Sequence, residues 1–222
     1  STTCLFHSLA RYDRVLTMGF DYGQRHSVEL ACRAEILRRI PLEFGEYAGK
    51  LGEDRLIDIR SFGALNANAL TAGQSIEIGR NGLSTTFVPG RNLLFLCYAG
   101  ALAYAAEAHT IVTGVSQTDY SGYPDCREPT MAAMEKALTL GMEVPMTIET
   151  PLMHISKAET WALAERTGGR KLVDFIVERT HTCYTGERGK RHAWGYGCGE
   201  CPACVLRRQG WEEYAAGACA MA

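Results

Sequence analysis

Apolar positions in the first part of the chain change their spacing twice, which predicts a helix, a strand and a second helix. Leu5 and Leu9 recur at helical spacing. The short apolar run from Val15 to Phe20 predicts a buried strand. Apolar residues then follow a helical period from His26 to Ile40, and we expect Pro41 to stop that helix.

The rest of the chain continues the alternation of strands and helices. Little period is visible between Ser61 and Gly90, which predicts a long loop. Ser156 and Glu159 have the spacing of a capping box, and we expect the helix that they open to end near Arg166. The other predicted elements are a strand at Leu56–Ile59, a buried helix at Asn92–Ala108, a strand at His109–Val115, a helix from Arg127 to Leu140 and a strand at Met146–Glu149.

Strands that alternate with helices predict an α/β fold, in which a parallel sheet carries helices on both faces. Ligands bind beyond the carboxyl ends of the strands in such sheets. Three polar segments follow predicted strands in this chain, at Asp21–Gln24, Gln117–Arg127 and Thr150–His154. The pattern therefore predicts one ligand site built from these three segments.

Four cysteines lie close together in the C-terminal part of the chain. Thiolates two residues apart can turn toward one centre, and four sulfur ligands complete the tetrahedral coordination of a structural zinc ion. We therefore expect an α/β domain over residues 1–180 and a zinc-binding segment over residues 181–222. The predicted zinc ligands are Cys183 and the C-x2-C-x2-C run of Cys198, Cys201 and Cys204.

Two other interpretations of these cysteines are open. The thiols would form two disulfides in an oxidising compartment, but the rest of the chain is typical of a cytosolic protein, in which thiols stay reduced. An iron–sulfur cluster also takes four thiolates, yet its bacterial motif continues C-x3-C-P. Val205–Arg208 follows here instead, so zinc is favoured. We expect Cys4, Cys32 and Cys97, which lie on apolar helices, to pack in the core.

Composition and charge narrow the range of partners. The chain has 222 residues and a formal net charge of −2, which gives no electrostatic reason to expect nucleic acid. No apolar run approaches the length of a membrane span, and the first residues do not have the pattern of a signal peptide. We therefore expect a cytoplasmic protein that binds small molecules and no membrane.

Two cations lie at predicted helix N-termini. Arg91 follows a Pro-Gly turn, where free backbone N–H groups and a guanidinium suit a phosphate or a carboxylate. The alternative is a plain turn with Asn92 as the helix N-cap. Lys157 lies in the first turn of the helix after Ser156, where it is either a phosphate ligand or a solvated side chain.

The segment from Asp119 to Arg127 is rich in functional groups. Tyr120 and Tyr123 can stack on a planar base, and carboxylates can hold Mg²⁺ or the N–H groups of a base. Arg127 can pair with a phosphate. Asp125 has an alternative role, because Glu128 three residues later makes it a candidate cap of the next helix.

Several collinear segments together resemble one family, the 7-cyano-7-deazaguanine synthases of queuosine precursor synthesis. Each segment alone is weakly specific, but together they cover nearly the whole chain outside residues 61–86. The segments are Ser1–Leu5, Phe20–His26, Phe87–Asn92, Asp119–Arg127, Thr150–Met153 with Lys157–Glu159, and Cys183–Tyr184 with Cys198–Cys204.

The resemblance implies an ATP-pyrophosphatase (PP-loop) fold, which is Rossmann-like, and a ligase that forms C–N bonds. Its substrates would be 7-carboxy-7-deazaguanine, ammonia and ATP with Mg²⁺. ATP would adenylate the carboxylate, ammonia would displace AMP to give an amide, and a second activation would allow dehydration to the nitrile. The resemblance further implies a structural zinc ion and a homodimer.

The resemblance also distributes site residues among these ligands. It implies ATP contacts at Ser1, Thr2, Thr3, Cys4 and Leu5, and at Phe20, Asp21, Tyr22 and Gln24. The implied catalytic residues are Arg91, Arg127 and Lys157, for phosphate or carboxylate, and Asp119 and Asp125, for Mg²⁺ or the deazaguanine. Tyr120, Ser121 and Tyr123 would contact the substrate.

Two features depart from the family pattern. The family's first strand runs into an S-G-G-x-D-S loop that cradles the ATP phosphates, and only the last residue of that loop, Ser1, stands here. We therefore expect this chain to be a fragment of a longer protein. The spacing between Cys183 and Cys198 is longer than usual, and we expect the insertion to be a solvated surface loop.

Two rival functions are open. The chain could be another ATP pyrophosphatase, one that thiolates tRNA or forms an amide, but a tRNA-thiolating enzyme is expected to carry a basic RNA-binding face, and the net charge of −2 speaks against one. It could also be a zinc-stapled binding module without catalysis, which the incomplete phosphate loop favours.

Overall fold

The computed structural model describes residues 1–24, 27–65, 85–117 and 123–217. Its helices are α1 (Thr2–Arg11), α2 (Val28–Glu43), α3 (Arg60–Gly63), α4 (Arg91–Ala105), α5 (Glu128–Met142), α6 (Lys157–Arg179) and α7 (Pro202–Ala215). Its strands are β1 (Val15–Asp21), β2 (Leu51–Asp58), β3 (Thr110–Val112), β4 (Thr147–Glu149), β5 (Arg191–His192) and β6 (Gly195–Tyr196). The predicted α/β class is confirmed.

The chain divides into two compact units. The first comprises Ser1–Ile57 with Ser156–Ala222, and the second comprises Asp58–Ile155. The predicted domain boundary after residue 180 stays a prediction.

The core of the first unit is built on aromatic side chains from α1, α6 and the end of α2. Phe6 and Phe44 meet edge to face with ring centroids 4.7 Å apart, and Phe44 meets Phe175 in the same way at 5.2 Å. Leu9 and Leu172 fill the space around these rings and are completely buried. Each such side chain contributes about 1.5–3 kcal/mol through its burial.

α2 continues past Pro41 to Glu43, so the predicted stop at this proline is wrong. Proline lacks the N–H that a helix interior needs, but in the last turn it forfeits a single hydrogen bond. The amide of Phe44 donates to the carbonyl of Ile40 at 2.8 Å, and both side chains are buried in the core. Tertiary packing therefore outweighs the local preference of the proline.

α6 begins as predicted but does not end near Arg166. The capping box is confirmed, because the amide of Glu159 donates to Ser156 Oγ at 3.1 Å and the amide of Ser156 donates to Glu159 Oε2 at 2.7 Å. The helix breaks at Gly168 and Gly169, where Gly169 takes the left-handed φ of +66°. It then resumes as far as Arg179, because the buried side chains beyond the break anchor a second helical segment.

β2 lies beside β1 in a two-stranded sheet and begins at Leu51, earlier than the predicted strand at Leu56–Ile59. Its first half is held by polar groups: Asp54 accepts hydrogen bonds from Arg33 of α2 and, at 2.6 Å, from Thr17 Oγ1 of β1. Because the side chains of residues 53–56 are exposed, no apolar period marks this part of the strand.

The second unit contains a pair of parallel strands. β3 and β4 pair in the register Thr110–Thr147, Ile111–Ile148 and Val112–Glu149. The predicted β4 is confirmed to within one residue, whereas β3 is shorter than the predicted His109–Val115. α4 and α5 pack together on the core of this unit, with Leu138 of α5 against Gly100 of α4.

α4 is apolar almost all round, yet it is buried along one side only, so the prediction of a fully buried helix is wrong. Tyr98 and Tyr104 are exposed, and so is Cys97, which was expected in the core. Cys4 and Cys32 are buried as predicted. Within the described ranges, no helix combines the length and the hydropathy that a membrane crossing requires.

Candidate functional site

The four predicted metal ligands converge on one centre. Their sulfur atoms all lie within 4.8 Å of one another, with Cys198 Sγ 3.9 Å from Cys204 Sγ and Cys201 Sγ 4.0 Å from Cys183 Sγ. Four sulfurs bound to zinc at about 2.3 Å in a tetrahedron lie about 3.8 Å apart. The cluster therefore fits a metal ion such as zinc. A disulfide bond is about 2.05 Å long, and the eight cysteines of the described ranges are free thiols, so the disulfide alternative is wrong.

Hydrogen-bond donors point at two of the sulfur atoms. Cys183 Sγ accepts from the amide of Cys198 at 3.3 Å and lies 3.1 Å from Thr185 Oγ1. Cys198 Sγ accepts from the amides of Glu200 and Cys201 at 3.4 and 3.3 Å. Burial alone would raise the pKa of the Cys183 thiol, but the hydrogen bonds outweigh burial and lower that pKa to about 6. The same balance lowers the pKa of Cys198.

The other two thiols have the opposite tendency. Burial raises the pKa of Cys201 and the pKa of Cys204. The pKa shifts in the cluster therefore run in both directions, downward for Cys183 and Cys198 and upward for Cys201 and Cys204. A bound metal ion removes this difference, because it requires deprotonated ligands and its charge stabilises them. Four sulfurs leave zinc no position for water, so the chemistry that the ion would supply is structural.

Glycines let the chain wrap closely around this cysteine cluster. A Cβ at Gly197 would lie 2.6 Å from Cys204 Sγ, and Gly199 has the left-handed φ of +87°. Trp194 is buried in the cysteine cluster, and His192 stacks on it with ring centroids 4.4 Å apart. His192 Nε2 lies 2.9 Å from the carbonyl oxygen of Gly197. Backbone and rings therefore leave little room for solvent around the sulfurs.

The insertion between the first two cluster cysteines is exposed at residues 189–191, as predicted, but it is more ordered than a solvated loop. It folds into the β5–β6 hairpin, which is tied to the end of α6. Arg188 donates to the carbonyl oxygens of Glu178 and Thr180 at 2.8 and 3.2 Å, and its guanidinium lies over the ring of Tyr196. Arg191 and the Tyr196 hydroxyl both donate to the carboxylate of Glu178, and the bond from Arg191 is the main cause that lowers the Glu178 pKa.

Arg207 of α7 is a buried cation beside the cysteine cluster. Its Nε donates to the carbonyl of Trp194 at 2.8 Å, its Nη2 donates to the carbonyl of Ile176 at 3.3 Å, and its guanidinium lies 5.2 Å from the ring centroid of Trp161. Burial lowers the pKa of Arg207 to about 10, and attraction to Cys204, when that sulfur is ionised, opposes this effect of burial. The side chain therefore stays positively charged at neutral pH and offsets negative charge on the cysteine cluster.

The predicted ATP contacts lie at the start of α1 and at the end of β1. Ser1 is the N-cap of α1, and Thr3 and Cys4 are buried in its first turn. After β1, Asp21 Oδ1 accepts from the amide of Gly23 at 3.0 Å. Gln24 Oε1 accepts from the amide of Tyr22 at 3.0 Å. These side chains order the turn after the strand. Thr2, Leu5 and Phe20 are half-buried.

Asp125 caps a helix, but not the helix that follows it. Its Oδ2 accepts from the amide of Asn92 in the first turn of α4 at 3.1 Å, and the carboxylate is buried. The Asn92 side chain donates to Cys126 Sγ at 3.2 Å. We call these three residues the Asp125 corner. The N-cap of α4 is Gly90 rather than Asn92. The start of α5 is capped by the Gln117 side chain, whose Oε1 accepts a hydrogen bond from the amide of Glu128 at 3.2 Å.

The other predicted residues of this segment differ in their surroundings. The Tyr123 hydroxyl is hydrogen-bonded to Thr86 Oγ1, and its ring lies 5.2 Å from that of Phe87. Tyr123 is therefore a packing residue with little free ring surface. Arg127 is exposed, and Arg91 is half-buried at the start of α4. Asp119, Tyr120 and Ser121 lie outside the described residues.

Lys157 is the first residue of α6 and is half-buried. α7 runs close to it, because a Cβ at Gly210 would lie 2.4 Å from Lys157 Cβ. In the first unit the four cysteines thus converge on one centre, and α7 connects this centre to Lys157. In the second unit the structure brings Asp125 to the helix start that carries Arg91.

Comparison with known proteins places the chain in a family. A family model described as queuosine biosynthesis protein QueC matches residues 1–215. The chain belongs to the QueC family. It is 57% identical over 215 residues to the 7-cyano-7-deazaguanine synthase of Polaromonas naphthalenivorans, covering 97% of this chain and 90% of that protein. The synthase of Parvibaculum lavamentivorans is 58% identical over 217 residues, covering 98% and 92%. The synthase of Alkalilimnicola ehrlichii is 57% identical over 214 residues, covering 96% and 90%.

The QueC match confirms the family resemblance and the Rossmann-like fold class, while several residues of the site escaped the sequence analysis. Arg207 follows the cysteine motif closely, yet an arginine after a metal ligand carries no signal of burial. Gly210 has no chemical group that marks a contact. Asn92 is a candidate cap in the sequence, whereas in the structure its own backbone amide is capped by the carboxylate of Asp125. Gly210 lies in the interior of the observed α7, and a glycine inside a helix is the one available signal of close packing, because glycine weakens helices.

Proposed function

We propose that this QueC chain is a 7-cyano-7-deazaguanine synthase, a ligase that converts 7-carboxy-7-deazaguanine, ammonia and ATP to the nitrile. The observation that carries the proposal is the identity of 57–58% to proteins of that name over at least 90% of their length. At this level of identity a change of reaction class requires altered reacting groups.

The chemistry requires two activations of one carbon. In the first, a carboxylate oxygen attacks the α-phosphorus of ATP and pyrophosphate leaves, which turns a poor leaving group into a good one. Ammonia then attacks the carbon, AMP leaves and a proton is lost, so that an amide forms. In the second, the amide oxygen is adenylated in the same way, and loss of AMP and the N–H protons gives the nitrile. Cations stabilise the negative charge that develops on the phosphates.

We assign the ATP contacts to the start of α1 and to the turn after β1. The first amides of α1 are available to an anion, as at any helix N-terminus. The hydrogen bonds of Asp21 and Gln24 give the turn after β1 a fixed backbone, which suits recognition of adenine and ribose. Lys157 would place its cation on a phosphate or on the carboxylate.

For the second unit we propose that Arg91 and Arg127 bind phosphate or carboxylate, with Tyr120, Ser121 and Asp119 at the deazaguanine or Mg²⁺. Asp125 keeps lone pairs beyond the one that the Asn92 amide uses, so it can hold Mg²⁺ or a base N–H while capping α4. Tyr123 would act by positioning its neighbours, because its hydroxyl is engaged with Thr86.

The remaining parts of the proposal concern partners and location. We propose that the cysteine cluster holds a structural zinc ion, since its spacing fits four zinc–sulfur bonds. We further propose a cytoplasmic homodimer that acts on small molecules without nucleic acid. The net charge of −2 supports the last point, and the dimer rests on the family alone.

The test uses the natural gene product that contains this chain, supplied with ATP, Mg²⁺, ammonia and 7-carboxy-7-deazaguanine. We expect AMP, pyrophosphate and the nitrile, measured by mass spectrometry, with no product when any substrate is omitted. Absence of both AMP and nitrile would overturn the proposal. Formation of AMP with tRNA as the acceptor would favour a thiolating enzyme instead.

A matched pair of lysine variants tests the residue assignment. Lys157→Met should lower kcat/KM by about a hundredfold or more, because a cation that stabilises transition-state charge contributes about 2.7–4 kcal/mol. Lys136→Met removes an exposed lysine from α5 and should leave kcat/KM unchanged. Equal activities of the two variants would remove Lys157 from the reaction while leaving the family function intact.

A further inference from the structure

α7 connects the cysteine cluster to the first turn of α6. Its N-cap is Cys201, and Cys204 lies in its first turn, so two of the four metal ligands define where the helix begins. Gly210 lies six residues after Cys204, which is about 9 Å along the axis of the helix. At that point α7 meets the residue that opens α6.

The contact at Gly210 is a backbone contact. A Cβ there would lie 2.4 Å from Lys157 Cβ, 2.9 Å from the carbonyl carbon of Lys157 and 3.1 Å from the amide nitrogen of Ala158. These atoms belong to the helix start itself and cannot rotate away as the end of a flexible side chain would. Any displacement of α7 toward α6 must therefore move Lys157.

Between its two ends α7 is clamped onto the same helix. Arg207 binds the carbonyl of Ile176 in α6, and Trp211 packs edge to face on Trp161 with ring centroids 5.0 Å apart. Packed interiors have few voids and transmit strain. A change at the cysteines is therefore carried along the helix rather than absorbed within it.

We propose that the metal-loaded cysteine cluster positions Lys157 through α7, with Gly210 as the positioning residue at the contact. The consequence for turnover rests on the proposed function of Lys157, whereas the positioning itself does not. The cysteine cluster then has a second role besides stability, because it determines where the amine at the start of α6 lies.

The first test measures the position of Lys157 without reference to activity. The rate at which an acylating reagent modifies Lys157 is followed by mass spectrometry in zinc-loaded protein, in chelator-treated protein and in Gly210→Ala, with zinc content measured in each. We expect chelation and Gly210→Ala each to change that rate about threefold or more, because loss of the ion frees the start of α7 and the added methyl pushes α7 away from the start of α6. Lys136 in the same samples, and the Gly141→Ala variant, whose added methyl meets nothing within 4 Å, should show no change.

Gly210→Ala retains all four cysteines, so it tests the contact between α7 and Lys157 even where chelation unfolds the protein. Circular dichroism verifies the fold of each sample. An unchanged Lys157 rate in folded Gly210→Ala with full zinc content would overturn the proposal. So would equal rates in zinc-loaded and folded zinc-free protein.

A double-mutant cycle tests the consequence for turnover. Gly210→Ala should lower kcat about tenfold in the otherwise unchanged enzyme, since small misplacements of reacting groups are costly. It should have no further effect on kcat in a Lys157→Met background, whereas a merely structural role would give the same loss in both. If Lys157→Met is fully active, the proposed function of Lys157 fails, and the acylation rates still decide whether the cysteine cluster positions it.

Discussion

The cysteine cluster and the Asp125 corner each bring polar side chains to the N-terminus of a helix, but they use them in opposite ways. At α7, Cys198 Sγ accepts hydrogen bonds from two backbone amides and lies within 4.8 Å of three other cysteine sulfurs. At α4, the carboxylate of Asp125 satisfies an open amide of the helix. Residue type therefore does not by itself decide between metal ligand and helix cap. The cysteines differ from Asp125 because four of their sulfur atoms converge on one centre.

The largest effect should come from removing a metal ligand. We expect Cys204→Ser to lose the bound metal and to lower Tm by about 10 °C or more, because a structural zinc site contributes folding free energy directly. Thermal unfolding with metal analysis checks this. Cys97→Ser, which changes an exposed cysteine of α4, is the control and should alter neither. Full metal content in Cys204→Ser would show that the cysteine cluster does not need all four sulfurs.

Replacing the buried cation beside the cysteine cluster should have the next largest effect. Arg207→Met should lower the free energy of unfolding of metal-loaded protein by about 2–3 kcal/mol, because two carbonyls lose a charged donor. Arg208→Met changes the neighbouring exposed arginine and should stay within about 0.5 kcal/mol. Urea unfolding measures both. Equal values would mean that the charge of Arg207 matters no more to the cysteine cluster than a surface charge does.

The same comparison explains how far the sequence could be interpreted. The cysteine cluster was predictable because its ligands lie within one short stretch and soft sulfur at close spacing has few other uses. The Asp125 corner joins residues 33 positions apart, and neither position carries a pattern that identifies its partner. The alternative role considered for Asp125, a cap of the following helix, therefore named the wrong helix.

The fold was predictable to a similar degree and failed for similar reasons. Periodicity located β1, α5 and the capping box of α6, whose signals are local. It misplaced the end of α2 and the start of β2, where packing of Phe44 and the ion pair of Asp54 with Arg33 decide the structure. The second half of α6 was missed because a glycine pair usually ends a helix.

A smaller effect should distinguish the two roles of Asp125. Asp125→Ala removes the acceptor of the Asn92 amide and should cost about 1–2 kcal/mol of stability, whereas Asp125→Asn keeps an oxygen and should cost only a few tenths of that. If Asp125 also binds Mg²⁺, as proposed, the Asn variant should lose activity while keeping its stability. Urea unfolding and kcat measure the two roles separately. An Ala variant as stable as the parent would contradict the cap.

The smallest effect should come from a surface carboxylate that is already satisfied by cations, which gives a baseline for both buried sites. Hydrogen bonds from Arg38 and Arg39 lower the pKa of Glu35 from 4.5 to about 2. A depressed pKa means that the folded state favours the charged form, so its contribution is present above pH 4.5 and is lost as the pH falls toward 2. Glu35→Gln should therefore unfold slightly more easily than the parent at neutral pH, and the difference should vanish toward pH 2. Tm measured across this range checks the sign. A difference that grows on acidification would mean that the arginines do not favour the charged carboxylate, and that surface pairs on α2 are no baseline for the buried ones.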